Sequence, residues 1–179
     1  MLKVFYGRPH NMCGLSPDEV KVYNFLDGLG IEYARVEHAP ADCDEVRREI
    51  DLALVPAVAC KNLFLTNSKG DAFFLLVMRA DKHFTGRTVA RQIGSTRLSF
   101  APAEALKRYL NGVPGSVSVM NLINDCEGRV ELLADIDVYT SEYMRCHPCA
   151  NTASLRLSSA DVFGRFVPAT RHKVRAVRI

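Results

Sequence analysis

A chain of 179 residues, 48% hydrophobic and 24% charged, is long enough to bury a core as one domain, expected to span residues 1–179. No apolar run approaches the ~20 residues of a membrane span, and the N-terminal ten residues lack a signal-peptide apolar region, so a cytoplasmic protein with six free cysteine thiols is expected. The net charge of +3 is unevenly spread, because Arg165, Arg171, Lys173, Arg175 and Arg178 crowd the C-terminus with no acid, and Arg79, Lys82, Arg87, Arg91 and Arg97 face Asp81 alone. Such patches are compatible with a phosphate backbone, although on charge alone ordinary solvated faces are the better account of them.

In chain order, Ser16-Pro-Asp-Glu19 is a capping box with proline at the first helical position. Val20, Tyr23 and Leu26 follow at helical spacing until Gly28 or Gly30. A strand is predicted over Ile31–His38, then a short helix capped by Asp42 or Asp44 and running toward Leu54. The run from Val58 to Thr66 reads as a strand, turned at Asn67–Asp71 into a second strand, Ala72–Met78. A helix is predicted from Thr85 or Gly86 to Ile93, a short strand over Arg97–Phe100, and a helix from Pro102 to near Gly112. A turn at Pro114-Gly115 leads into Ser116–Met120. Strands are predicted at Arg129–Leu133, Ser154–Leu157 and Lys173–Ile179, with a helix capped by Ser158 or Ser159 and reaching about Phe166. Helices and strands mix without strict alternation, which predicts an α/β (α+β) fold with a mixed, barrel-like central sheet and peripheral helices.

Lys61 and Asn62 interrupt the apolar strand Val58–Thr66. An ammonium taken into such surroundings costs several kcal/mol unless an anion or donor-acceptor partner compensates, which makes the pair a functional candidate; the plainer reading puts Lys61 on a wet face and Asn62 in a local turn contact. Cys146-His-Pro-Cys149 has redox spacing, but strand-like alternation follows it where a thioredoxin-type site needs a helix, and only Cys126 and His172 stand as loose further zinc ligands. Motifs for phosphate loops, serine elbows and zinc proteases are absent. Asn124-Asp125 and Asp135–Asp137 read as capping or turn residues, and His38 and His83 as surface or packing residues.

Six strings in register resemble the YbaK/ProX-type aminoacyl-tRNA editing domains: Cys60-Lys-Asn-Leu-Phe-Leu65, Ala80-Asp-Lys82, Arg97-Leu-Ser-Phe-Ala101, Pro114-Gly-Ser-Val-Ser118, Leu122-Ile-Asn-Asp125 and His147-Pro-x-x-Asn-Thr152. Val22-Tyr-Asn-Phe-Leu-Asp-Gly-Leu-Gly-Ile31 and Val36-Glu-His38 also look like that family, so the resemblance runs from about residue 16 to about 172. It is nearest to the free-standing prolyl-tRNA editing branch. The resemblance implies the YbaK/ProRS-associated domain fold and a deacylase acting in trans on tRNA(Pro) mischarged with alanine. It implies no metal or organic cofactor. The partners implied are the tRNA(Pro) acceptor end and prolyl-tRNA synthetase, with no membrane and no DNA.

Carried over, Lys61 is the family's essential lysine, Asn62 its pocket neighbour, Gly115 the first position of a Gly-x-x-x-Pro loop whose backbone meets the substrate, and His147 the histidine beside the pocket. The backbone N–H groups of Gly115, Ser116, Val117 and Ser118 are expected to form the oxyanion site. Asn151 is a further pocket candidate, and Arg79, Lys82 and Arg97 are candidates for acceptor-stem phosphates. Two departures stand out: Val119 where the loop usually ends in proline, and Thr66 where relatives carry a basic residue. A catalytically weak tRNA-binding module of the same fold and a thiol-redox protein built on Cys146 and Cys149 are the alternative functions.

Overall fold

The structure, a computed structural model, describes residues 2–179. Its elements are β1 (Val4–Tyr6), α1 (Pro17–Gly28), β2 (Tyr33–Glu37), α2 (Asp44–Ala53), β3 (Cys60–Thr66), β4 (Phe73–Arg79), α3 (Gly86–Ile93), β5 (Ser99–Phe100), α4 (Ala103–Leu110), a 3-10 helix (Val119–Asn124), β6 (Val130–Asp135), α5 (Ile136–Tyr139), β7 (Tyr143–Cys146), β8 (Ala153–Ser158), α6 (Ser159–Asp161), a π segment (Val162–Phe166), α7 (Val167–Ala169) and β9 (Val174–Val177). Among the described residues no helix is long and apolar enough to cross a membrane.

Local chemistry sets several boundaries. The capping box at the start of α1 forms in both directions: Glu19 N–H donates to Ser16 Oγ at 3.2 Å and Ser16 N–H to Glu19 Oε2 at 3.0 Å. Asn67, in the turn between β3 and β4, accepts from Asp71 N–H at 3.2 Å and closes the hairpin. Asp125 does the turn work expected of it, accepting from Arg129 N–H at 3.0 Å and Val130 N–H at 2.7 Å, and it is held from the other side by His172 Nε2 at 3.0 Å.

The strands form two sheets rather than one. The first, in the order β1-β2-β8-β7, is antiparallel throughout; the second, β5-β3-β4-β6-β9, pairs β4 with β6 and β6 with β9 in parallel. The mixed α/β class holds, with two sheets in place of one central sheet; no closed barrel is seen among the described residues. There the sheets touch through a single bridge, where Val58 N–H donates to Tyr143 C=O and Arg145 N–H to Val58 C=O, each at 2.9 Å.

Packing explains the layering. β4 is apolar at every position from Phe73 to Met78, and both its faces are used. Phe73, Leu75 and Val77 face the main core with Leu155 and Leu157 of the other sheet, whereas Phe74, Leu76 and Met78 pack under α3 on Val89, Ala90 and Ile93. A smaller cluster buries Ala34 and Val36 against Ile50 and Leu54 of α2 and its C-terminal edge. Each sheet thus carries a helix on its outer face, and the space between the sheets holds the main core at one end and a cavity at the other.

Candidate active site

The cavity, about 770 Å3, opens where strand pairing is interrupted. β3 pairs along its length with β4, but on its other edge it meets β5 only at Leu65 and Thr66, with Phe64 C=O accepting from Ala101 N–H at 3.0 Å. Upstream, Val58 is taken by β7. Backbone groups of alternate residues in a strand point to the same edge, so the N–H and C=O of Cys60 and Asn62 share that edge with Val58 and Phe64. Between the two anchor points they face the cavity with no ladder partner among the described residues.

Side-chain alternation separates the two polar residues of β3. Phe64 belongs to the main core and Leu65 to the cluster under α3, so Asn62 lies on the inter-sheet face and Lys61 on the opposite one. Both border the cavity because it wraps round the bare edge. Lys61 Nζ is held by two backbone carbonyls just beyond β4, Ala80 O at 3.1 Å and Lys82 O. Two acceptors use two of its three N–H bonds, which answers the cost of its charge and leaves one donor. Asn62 is the reverse case: its Oδ1 is buried and has no hydrogen-bond partner among the described residues. An orphaned acceptor costs about 1–3 kcal/mol, so the site is built to receive a donor there.

The loop opposite supplies N–H groups, though fewer than the sequence suggests. Ser116 N–H donates to Val113 O at 3.2 Å, and Ser118 N–H to Asn121 Oδ1 at 2.9 Å. Ser118, fully buried, caps the 3-10 helix and lies off the cavity wall. Gly115 and Val117 line the cavity, and their N–H groups have no protein partner among the described residues. Gly115 sits at φ +90°, a conformation that side-chain-bearing residues avoid. Val119, which replaces proline, is fully buried at the start of the 3-10 helix, and Thr66 Oγ1 is spent on Ala72 O at 2.9 Å.

His147 and Asn151 reach the same cavity from the loop between β7 and β8. His147 Nδ1 donates to Ala153 O at 3.2 Å, so Nε2 is the unprotonated nitrogen and is free to accept. Burial lowers the His147 pKa below its ordinary value, so the ring is neutral at pH 7. The Asn151 side chain is engaged structurally: Oδ1 accepts from Ala41 N–H at 3.3 Å and Nδ2 donates to Asp42 at 3.0 Å, pinning the loop before α2 over the cavity.

The expected phosphate contacts are not grouped. Arg79 is paired bidentately with Asp81 at 2.8 and 3.0 Å, and Lys82 bridges Asp135 at 2.9 Å and Asp137 at 2.8 Å; neither lines the cavity. Burial works against the charge of Lys82, but its bonds to Asp137 and Asp135 outweigh that and raise its pKa. Arg97 lies in a separate groove next to the cavity.

Two contributors were invisible in the sequence. Arg145 lines the cavity and is paired with Asp51 of α2. His38, read as a packing residue, donates from Nδ1 to Ala39 O at 2.7 Å and accepts at Nε2 from Ser154 Oγ at 2.9 Å. Ser154 is fully buried, so the pair ties the end of β2 to β8 instead of presenting a nucleophile. The thiols are also unsuited to attack. Burial first, then neighbouring Cys60 and Cys149, raises the Cys146 pKa, burial raises Cys149, and burial pushes Cys60 up to about 12, so all three stay protonated. Cys149 is followed by β8 and not by a helix, and no cluster of three or more His, Cys, Asp or Glu side chains suited to a metal lies among the described residues.

Burial lowers the pKa of His38 as well as that of His147. As pH falls, the unfolded chain protonates these rings first, near the ordinary value of about 6.5, and the folded protein only below it. Their contribution to stability is therefore present above about pH 6.5 and is lost as pH falls toward the lowered folded-state values. Urea midpoints are expected to hold between about pH 8 and 7 and to drop as pH falls below about 6.5. His38→Asn with His147→Asn should flatten that drop; an equally steep fall in the double variant refutes the assignment.

A sequence model described as "Aminoacyl-tRNA editing domain" matches residues 42–164, a span that contains Lys61, Asn62, Gly115 and His147. The chain belongs to the aminoacyl-tRNA editing domain family. With that membership goes aminoacyl-tRNA deacylation, an ester hydrolysis. Among curated relatives, the prolyl-tRNA editing protein ProX of Acetoanaerobium sticklandii is 34% identical over 154 residues, covering 86% of this chain and 93% of that protein. The prolyl-tRNA synthetase associated domain-containing protein 1 of Danio rerio is 28% identical over 151 residues, covering 83% and 80%. In three dimensions, a crystal structure of a proposed trans-editing enzyme for prolyl tRNA synthetase superimposes with a TM-score of 0.67 at 15% identity, over 93% of this chain and 99% of the other; it shows a common editing-domain fold.

Proposed function

We propose that this editing domain acts in trans on tRNA(Pro), removing a misattached small amino acid, alanine foremost, by ester hydrolysis that draws on no metal. The observation that carries the reading is the unpartnered Asn62 Oδ1 at a bare strand edge, in a cavity that Lys61 borders from the other face of the same strand. An aminoacyl ester bears a cationic α-amino group, a carbonyl and a ribose hydroxyl. Asn62 Oδ1 accepts from the α-ammonium, and the remaining Lys61 donor takes the ribose or its phosphate. Water adds to the ester carbon; the N–H groups of Gly115 and Val117 receive the negative charge that develops on the carbonyl oxygen. The ester C–O bond then breaks, releasing the amino acid, and the proton given up by the attacking water passes by way of the vicinal ribose hydroxyl to the ribose oxygen that leaves. The neutral His147 Nε2 accepts from the vicinal ribose hydroxyl, which orients the water. The prolyl-tRNA synthetase is the natural source of the mischarged substrate and a second partner in this reading.

Size provides the sieve. Phe64, Leu106 and Val117 form an apolar wall of the cavity, and one methylene in such a wall discriminates by about 1–3 kcal/mol. The test is the rate of deacylation of tRNA(Pro) charged in turn with alanine, cysteine, serine and proline. Alanine should leave at least ~10-fold faster than proline. Proline released as fast as alanine overturns the proposed selectivity, and release of none of the four overturns the proposed activity.

A further inference from the structure

Beside the cavity lies an exposed aromatic residue that its walls do not require. Phe100, on the short strand β5, is 69% exposed, yet it belongs both to the rim of the cavity and to the adjoining groove that holds Phe84, Arg87 and Arg97. An exposed ring at the mouth of an active site offers a flat apolar face to whatever enters it. Phe84 leans against Phe100, with ring centroids 6.4 Å apart and planes tilted by 58°, and so steadies the ring.

The surroundings say what kind of molecule covers it. Arg87 and Arg97 are exposed, and neither side chain has a carboxylate or hydrogen-bond partner among the described residues, in contrast to Arg79 and Lys82 nearby. Gly86 packs closely on the segment leading into β5: a Cβ at Gly86 would stand 2.0 Å from Leu98 O. That close approach brings the residues that follow Gly86 and precede Leu98, Arg87 and Arg97, to the lining of one groove. A flat apolar ring next to unpaired guanidinium groups suits a single-stranded nucleic acid, whose bases stack on aromatic faces and whose phosphates pair with arginine.

We propose that Phe100, Arg87 and Arg97 form a subsite for the unpaired nucleotide immediately 5′ of the aminoacylated ribose. Its base stacks on Phe100 and its phosphates run along the groove to Arg97 and Arg87. The inference rests on the editing reading, and it assigns the approach of the RNA strand to the β5–α3 side of the cavity.

The experiment compares two alanine esters, Ala-tRNA(Pro) and 3′-O-alanyl-adenosine, which lacks that nucleotide. Stacking on an aromatic ring is worth roughly five- to a hundredfold per base, so Phe100→Ala should raise KM for Ala-tRNA(Pro) by about tenfold with little change in kcat. The effect on kcat/KM should be at least several times smaller for alanyl-adenosine, and Phe100→Tyr should restore the tRNA value. Arg87→Gln with Arg97→Gln should reduce the salt dependence of the tRNA KM, the slope falling by about 0.7 for each phosphate that the arginines no longer neutralise. Equal losses on both esters would make Phe100 a wall of the cavity and overturn the subsite. An unchanged tRNA KM, or an unchanged salt slope, overturns it too and leaves a protein partner as the occupant. If the wild-type protein hydrolyses neither ester, the editing reading itself fails; binding of an uncharged oligonucleotide ending in CCA then reads the subsite directly, supporting it if Phe100→Ala weakens binding and refuting it otherwise.

Discussion

Lys61→Ala is expected to lower kcat/KM for deacylation of Ala-tRNA(Pro) by about 10–10²-fold, the size of loss expected when a charged donor that holds the substrate's ribose or phosphate is removed. The fold should survive, because the ammonium bonds to Ala80 and Lys82 carbonyls in a surface loop that water can reach in its absence. Arginine is a poor replacement: a planar fork cannot reproduce two converging N–H bonds from one tetrahedral nitrogen and still present a third. Single-turnover deacylation alongside a urea melt distinguishes the outcomes. A variant that melts like wild type but has lost the activity supports the assignment, whereas retention of more than about a tenth of the activity removes Lys61 from the reaction.

The second large effect is expected at a residue that never meets the substrate. Asp135 is fully buried at the end of β6, where its carboxylate receives Lys82 Nζ at 2.9 Å and Asp137 N–H at 3.4 Å. Removing the carboxylate leaves Lys82 to the exposed Asp137 and takes the acceptor from two backbone N–H groups, at about 1–3 kcal/mol, so Asp135→Ala should lower Tm by roughly 5–10 °C in a domain of this size. Activity should fall as well at temperatures where the variant is still folded. Lys82 is anchored to Asp135 by its side chain, and its own carbonyl is one of the two that hold Lys61. The Asp135 carboxylate is thus linked to the Lys61 ammonium through one loop. Deacylation by the variant, measured well below its Tm, should show a reduced kcat; full kcat in a destabilised protein would confine Asp135 to a structural role.

The local parts of this fold were legible in the sequence. The capping box before α1, the hairpin turn at Asn67 and the uninterrupted apolar run of β4 are each dictated by neighbours in the chain, and each forms. Two strands were missed for want of such signals. β1 is three residues long, and β7 carries Arg145 at its centre; both owe their existence to β2 and β8, far away in sequence. Ser116–Met120 becomes loop and 3-10 helix because Ser118 finds a capping partner in Asn121.

The candidate site divides the same way. Lys61, Asn62, Gly115, Val117, His147 and Asn151 converge on one cavity, and the resemblance to the editing family had pointed to them. That Lys61 and Asn62 face opposite sides of the sheet follows from the period of a strand and was readable in advance. What no pattern in the chain announces is which donors are already spent. Ser116, Ser118, Arg79 and Lys82 look available in the sequence and are committed to partners in the fold: the first three to residues two or three positions away, whose pairing depends on the loop conformation, and Lys82 to Asp135, far away in sequence, which leaves no local trace.

The bridge at Val58 has a mechanical meaning. Among the described residues it is the one strand-type link between the sheets, it stands at the upstream end of the unpaired stretch of β3, and its partner strand β7 leads directly to His147. The distance from the acceptor on Asn62 to the imidazole of His147 is therefore gauged by two hydrogen bonds, much as a caliper is set by its pivot. The size sieve proposed above requires jaws that do not give, and that corner is where the fold ties them together.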